Sequence, residues 1–99
     1  MTKTRRQQLN KILLTRLHPQ LIPMYQAVAE VIKVRHDGMK KHGETWRQVP
    51  FKEHLDHVMG HLQKYFDGEM IEEESKLHHL AHIICRLLFV LQLEIEANQ

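Results

Sequence analysis

Two helical stretches of this chain carry imidazoles at spacings that could do chemistry. His79, His82 and Arg86 fall at i, i+3 and i+7, one stripe along a helix. Upstream, His54, His57 and His61 lie within about 60° of one another when residues are projected at 100° each. Imidazoles from two facing helices, joined by a carboxylate, can build a divalent-metal site inside a bundle. Glu30 and Glu74 are the candidate oxygen ligands for such a site. Spacing alone does not name a metal. Histidines at a helix edge are more often hydrogen-bonded packing residues than ligands, and His18, His36 and His42 stand apart from either stripe.

Other chemistries have less support. Glu53 and Asp56 form an E-x-x-D pair that could hold Mg²⁺ through oxygen, but Asp56 projects roughly 140° away from His61. That pair reads more simply as a solvated helix face. Cys85 sits in an apolar run and no serine occupies an elbow-type motif, which argues against nucleophilic catalysis. No glycine-rich phosphate loop is present.

The elements that must position these groups are helical. Leu9, Ile12, Leu13 and Leu17 predict a short helix over residues 3–17, interrupted at His18-Pro19 because the residue before proline avoids helical geometry. A second helix is expected from Ile22-Pro23 to about Gly38, with Met24, Val28, Val31 and Ile32 turned inward. Met39 to Pro50 lacks periodicity and reads as a loop anchored by Trp46. Phe51 to Phe66 is the third helix, Asp67-Gly68 the turn after it, and Ser75 to Glu96 the fourth, with Ser75 as its N-cap. On that fourth helix Leu77, Leu80, Ile84, Leu87, Leu88, Leu91 and Ile95 make one wide apolar arc, and Phe89, Val90 and Leu93 carry apolar character to the other side. A helix apolar nearly all round belongs in the middle of a bundle or at a subunit interface. Nothing alternates with period two. The expected fold is all-α, a small bundle of about four helices completed by oligomerisation as a dimer or tetramer.

Composition agrees. Ninety-nine residues support one domain, and 42% hydrophobic with 26% charged residues is a globular balance. A single cysteine excludes a disulfide framework and fits a reducing cytoplasm. No apolar run is long enough for a membrane span, and the polar N-terminus is unlike a signal peptide. Five basic residues precede the first acidic one, Glu30, and the rest of the chain has nine basic and twelve acidic groups. Residues 1–18 therefore form a basic helical arm ahead of a helical domain over 19–99. Such an arm can contact nucleic acid, although no aromatic stacking residue accompanies it, and an amphipathic solvated helix is the simpler reading.

From about Leu17 to Glu96 the order of residues resembles the MazG-like dATP/dGTP diphosphohydrolase N-terminal domain family, many of whose members are phage or prophage proteins. The resemblance starts at Leu21-Ile22-Pro23 and continues through Lys41-His42-Gly43-Glu44-Thr45-Trp46. There His42 and Thr45 replace the usual tyrosine and asparagine, and the segment is one residue shorter. Asp56, the pair His61-Leu62 and the pair Gly68-Glu69 follow. The most specific piece is Glu72-Glu73-Glu74-Ser75-Lys76-Leu77-His78-His79-Leu80-Ala81-His82. Here Lys76 and His78 stand where the family pattern has glycine and proline, while Glu74, His79 and His82 match.

The resemblance implies cleavage of purine deoxynucleoside triphosphates to the monophosphate and pyrophosphate, dependent on a divalent ion, Mg²⁺ or Mn²⁺. It gives Glu74, His79 and His82 the metal or water-positioning roles, with His61 facing them. Arg86 and Lys41 become phosphate contacts. Trp46 either stacks on the base or plugs the core, and the plug is the favoured reading. One departure stands out: MazG-type enzymes usually hold Mg²⁺ with carboxylates in E-E-x-x-E and E-x-x-D patterns, and the second helix here offers only Glu30. The alternative is therefore a non-catalytic helical protein that binds a nucleotide or a host protein with the same bundle. Either protein would work in the cytoplasm, that of the host if phage-encoded.

Overall fold

Residues 19–99, with Arg5 and Gln8, are described by the computed structural model. The expected helix over residues 3–17 lies otherwise outside the described residues. Residues 19–21 are helical, directly after the expected interruption at His18-Pro19, and a 3-10 turn, Ile22–Met24, follows with Pro23 where its missing N–H costs nothing. Helix α1, Tyr25–His42, follows directly. It does not stop near Gly38. An interior glycine costs about 1 kcal/mol, whereas Lys40, Lys41 and His42 favour the negative end of the helix dipole. The helix ends instead at Gly43, whose φ of 70° is open to glycine and whose N–H reaches the Met39 carbonyl at 2.9 Å.

Helix α2, Phe51–Phe66, begins after Pro50 and ends in a Schellman arrangement. Gly68, at φ 101°, sends its N–H to the Tyr65 carbonyl at 3.1 Å, and Glu69 donates to Lys64 at 3.0 Å. The expected turn at Asp67-Gly68 is borne out.

Helix α3, His79–Ala97, starts four residues later than Ser75. Residues 69–78 form a tight loop instead. Ile71 and His78 make an isolated antiparallel bridge, and the His79 N–H bonds to the Met70 carbonyl. Glu72 closes the turn by accepting from the backbone N–H groups of Glu74 (2.6 Å) and Ser75 (2.9 Å). Lys76 lies at φ 64°, a left-handed conformation that no helix can pass through. Ser75 accordingly gives no helix cap; its hydroxyl accepts from the Leu77 N–H, and the cap is His78, whose ring accepts from the Leu80 N–H. The backbone explains the family pattern here: glycine suits the φ of Lys76, and proline suits the φ of −63° at His78.

Helix α3 is the central element, packed against both α1 and α2. The core joins Val34 of α1 to Ala81 and Cys85 of α3, with Val31, Leu77 and Phe89 against it. Cys85 is a packing residue, and burial pushes its thiol up. Two inward faces differ from expectation. Met24, just before α1, and Val28 and Ile32 on it are exposed while Val34 is buried, because α3 docks on the neighbouring stripe. On α3, the arc of Leu80, Ile84, Leu87, Leu88 and Leu91 is exposed, and the side bearing His79, Ala81, Cys85 and Val90 is buried. The fold is all-α, with three α-helices and no strand among the described residues.

Lys76→Gly removes a left-handed strain of about 1–2 kcal/mol and adds roughly 0.5–1 kcal/mol of unfolded-state entropy. The expected outcome is a melting temperature raised by a few degrees in circular dichroism, whereas Lys76→Val lowers it. A glycine variant less stable than the parent contradicts this account of the loop.

Candidate functional site

The C-terminal half of α1, the 43–50 loop, the inward face of α2, the 69–78 loop and α3 enclose a cleft of about 560 Å³. Three groups of side chains line it, each positioned by a local feature already described.

The first group is carboxylate and imidazole. The Glu72 carboxylate, fixed by its two backbone donors, lies 3.8 Å from the His82 ring, whose Nε2 is 2.8 Å from the Ser75 hydroxyl. Burial alone would raise the Glu72 carboxyl, but the Glu74 and Ser75 N–H groups, the Ser75 side chain and nearby His82 outweigh it and hold it at about 2. Burial lowers His82, with Glu72 opposing. The His61 ring stacks on His82, centroids 4.6 Å apart and planes 11° from parallel. Burial first, then His82 and His79, pull His61 down to about 4. His57 is lowered by burial and by Arg86.

Behind this wall stands His79. It has no solvent exposure and does not line the cleft. Its Nδ1 is 2.8 Å from Nδ1 of His61, so one ring donates and the other accepts. Its Nε2 lies 3.3 Å from a Glu69 carboxylate oxygen, out of line for a hydrogen bond, and is otherwise without a partner. A proton on that nitrogen faces the carboxylate favourably, which leaves His61 as the Nδ1 donor and turns its own Nε2 lone pair outward.

The second group is α1's Asp37 and Lys41. Lys41 sits 3.1 Å from Asp37 and 3.4 Å from Glu74, and its ammonium is raised by the Asp37 hydrogen bond above all. Glu74 is itself largely exposed. The third group is Arg86, His54 and Trp46. Arg86 is half-buried, and its Nη1 donates to Nδ1 of His54 at 2.9 Å. His54 is without solvent exposure, and its Nε2 donates to the Trp46 carbonyl at 2.9 Å. The Trp46 ring stacks on Phe89 at 4.8 Å with the Arg47 guanidinium 4.4 Å away. It is engaged as an anchor of the loop.

The structure thus brings His61, Glu74, His82, Lys41, Trp46 and Arg86 to one cleft. His79 supports the cleft from behind, and Glu30, half-buried on α1, does not line it. Sequence reasoning did not select Asp37, Glu72 or His54. Asp37 was visible as the partner four residues before Lys41. Glu72 had no comparable signal, since its role comes from a turn; His54 was grouped by spacing with His57 and His61, but its role comes from a buried contact.

Residues 3–99 match the family model described as dATP/dGTP diphosphohydrolase, N-terminal. The chain belongs to that family. No curated protein and no solved structure matches it. For this member of the dATP/dGTP diphosphohydrolase N-terminal family, a resident divalent ion is a poor fit to the residues present. His61 is bonded to His79 and stacked on His82, and among the described residues no three His, Cys, Asp or Glu side chains are arranged to hold a metal. Among the described residues, too, no helix is long and apolar enough to cross a membrane.

The lowered His61 makes stability pH-dependent. Its folded value of about 4 lies below the ordinary 6.5, so the unfolded chain binds the proton first. Stability is full above pH 6.5 and falls as pH drops from 6.5 towards 4. Glu72 adds a second fall between 4.5 and about 2. Melting temperatures of His61→Gln measured across this range should fall less steeply between pH 6.5 and 4 than those of the parent; parallel curves would reject the assignment.

Proposed function

We propose that the chain is a nucleotide pyrophosphohydrolase that splits purine deoxynucleoside triphosphates, dATP or dGTP, into the monophosphate and pyrophosphate. The observation that carries this reading is Arg86: a half-buried guanidinium on the wall of the cleft, bonded to an imidazole, with no carboxylate in ion-pair contact among the described residues. Burial lowers its pKa, yet a guanidinium stays charged, so the cleft carries a cation that favours an anion. Lys41 contributes a second cation from the opposite helix.

The net chemistry is addition of water to the α-phosphorus with departure of pyrophosphate and release of a proton to solvent. His82 and the outward Nε2 of His61 are suited to orient that water, since both are kept from protonation at neutral pH. Arg86 and Lys41 take the phosphates, where preorganised positive groups stabilise the leaving charge. Glu72, Glu74 and Asp37 stand along the same cleft. Mg²⁺ or Mn²⁺ is best regarded as arriving with the triphosphate, because Mg²⁺ is commonly held by one or two carboxylates together with substrate phosphates. His79 has a supporting part and Trp46 an anchoring one in this reading, and cytoplasmic action fits the buried lone thiol.

One observation favours a second reading. The His61–His79 bond pairs these two imidazoles with each other within the chain, as a non-catalytic bundle that binds a nucleotide or a protein could do. Pyrophosphate release from the four dNTPs and four NTPs, with Mg²⁺, Mn²⁺ or EDTA, separates the two. Release from dATP or dGTP that EDTA abolishes, and that falls by about 10²–10³ in kcat for Arg86→Gln, is the expected result; no release from any nucleotide favours the binding protein.

The exposed arc on α3 and the stripe of Met24, Val28 and Ile32 at the start of α1 suit burial against a second copy, giving a dimer or tetramer. Light scattering should show more than one chain per particle, and Leu87→Glu with Leu91→Glu should reduce it to one. A monomeric parent would exclude this assembly.

A further inference from the structure

His54 joins three elements at one buried point. It projects from α2, accepts from Arg86 of α3 through Nδ1, and donates through Nε2 to the Trp46 carbonyl of the 43–50 loop. Both roles are determined by the partners: a guanidinium can only donate and a carbonyl can only accept, so the ring is held as the Nε2–H tautomer. The Phe89 ring, 5.4 Å away, packs beside it and also carries the Trp46 stack. His54 is fully shielded from solvent, so Arg86 cannot exchange this acceptor for water. An imidazole acceptor also differs from a carboxylate in a way that matters to the cleft. It directs the guanidinium without cancelling its charge, and leaves the remaining N–H donors for an anion.

We propose that His54 is a positioning residue, which aims the Arg86 guanidinium at the phosphates of a bound nucleoside triphosphate and couples that aim to the seating of the Trp46 loop. This rests on the reading of the cleft as a triphosphate site. The two functions of the ring are separable by substitution. In His54→Asn the side-chain oxygen sits where Nδ1 was and can still accept from Arg86, but nothing reaches the Trp46 carbonyl. In His54→Gln the amide reaches the Trp46 carbonyl, and the acceptor beside Arg86 is lost.

The test uses the full chain, inorganic tripolyphosphate with Mg²⁺ as the calorimetric probe, and the fluorescence of Trp46, the single tryptophan. Arg86→Gln is expected to weaken binding about tenfold or more, equal to about 1.4 kcal/mol. His54→Gln should weaken it nearly as much with Trp46 emission unchanged. His54→Asn should bind within about threefold of the parent with shifted emission. The double variant His54→Gln, Arg86→Gln should bind no more weakly than Arg86→Gln alone. Equal loss of affinity in the Asn and Gln variants, or additive losses in the double variant, would overturn the positioning role and leave His54 a packing residue. Should the Gln variant not fold, a tenfold loss in the Asn variant alone overturns it. A parent chain that does not bind tripolyphosphate, or an Arg86→Gln variant that binds as the parent does, rejects the triphosphate reading itself, independently of His54.

Discussion

Two imidazoles that never meet water set the terms for this fold. Among the described residues His54 and His79 are the largest fully buried side chains, in α2 and at the start of α3. A buried polar group without a partner costs roughly 1–3 kcal/mol, so each ring dictates what stands beside it. His54 needs a donor and an acceptor, which Arg86 and the Trp46 carbonyl supply. His79 needs His61 and the neighbourhood of Glu69. Apolar residues in their place would hold α2 against α3 with less regard to register. The imidazoles require a particular register, and that register also brings the lining groups of the cleft together.

Two of the cations that line the cleft, Lys41 and Arg86, are held differently, and the contrast bears on what each can do. Lys41 is exposed, lies between Asp37 and Glu74, and shares its charge with both. Surface pairs of this kind are weakened by solvent and exchange easily. Arg86 is half-buried and bonded to a ring that carries no negative charge. Facing them, Glu72 is kept ionised by backbone donors of its own turn. The cleft therefore combines a persistent carboxylate, a persistent guanidinium and two stacked imidazoles held below their ordinary range. Charge separated in this way is a setting in which polyanions can be bound and polarised.

The same packing leaves much apolar surface outside. Helix α3 is apolar on nearly every side, yet only one side can face α1 and α2 at once. The side that turned inward carries the histidines, Ala81 and Cys85 together with Ile83 and Val90, and its polar groups there join a bonded network. The long leucines were left facing outward. A polar-lined interior and an exposed apolar exterior thus come from the same helix.

Residue type and spacing alone determined a good deal. They specified an all-α chain, the helix over Phe51–Phe66, the stop at Gly68, and the grouping of His79, His82 and Arg86 on one side of a helix. Those are local properties, decided by propensity, by glycine's access to positive φ and by angles within a single helix. Tertiary structure alone decided which side faced in. An amphipathic projection gives relative angles, and a helix apolar all round has no preferred side until its neighbours dock. It also decided that His79 supports the cleft while His61 and His82 line it, and that Ser75 lies in a turn. That turn exists because Glu72 accepts two backbone N–H groups and Lys76 takes a left-handed φ. Those contacts are cooperative and close only when the loop, α2 and α3 are in place together.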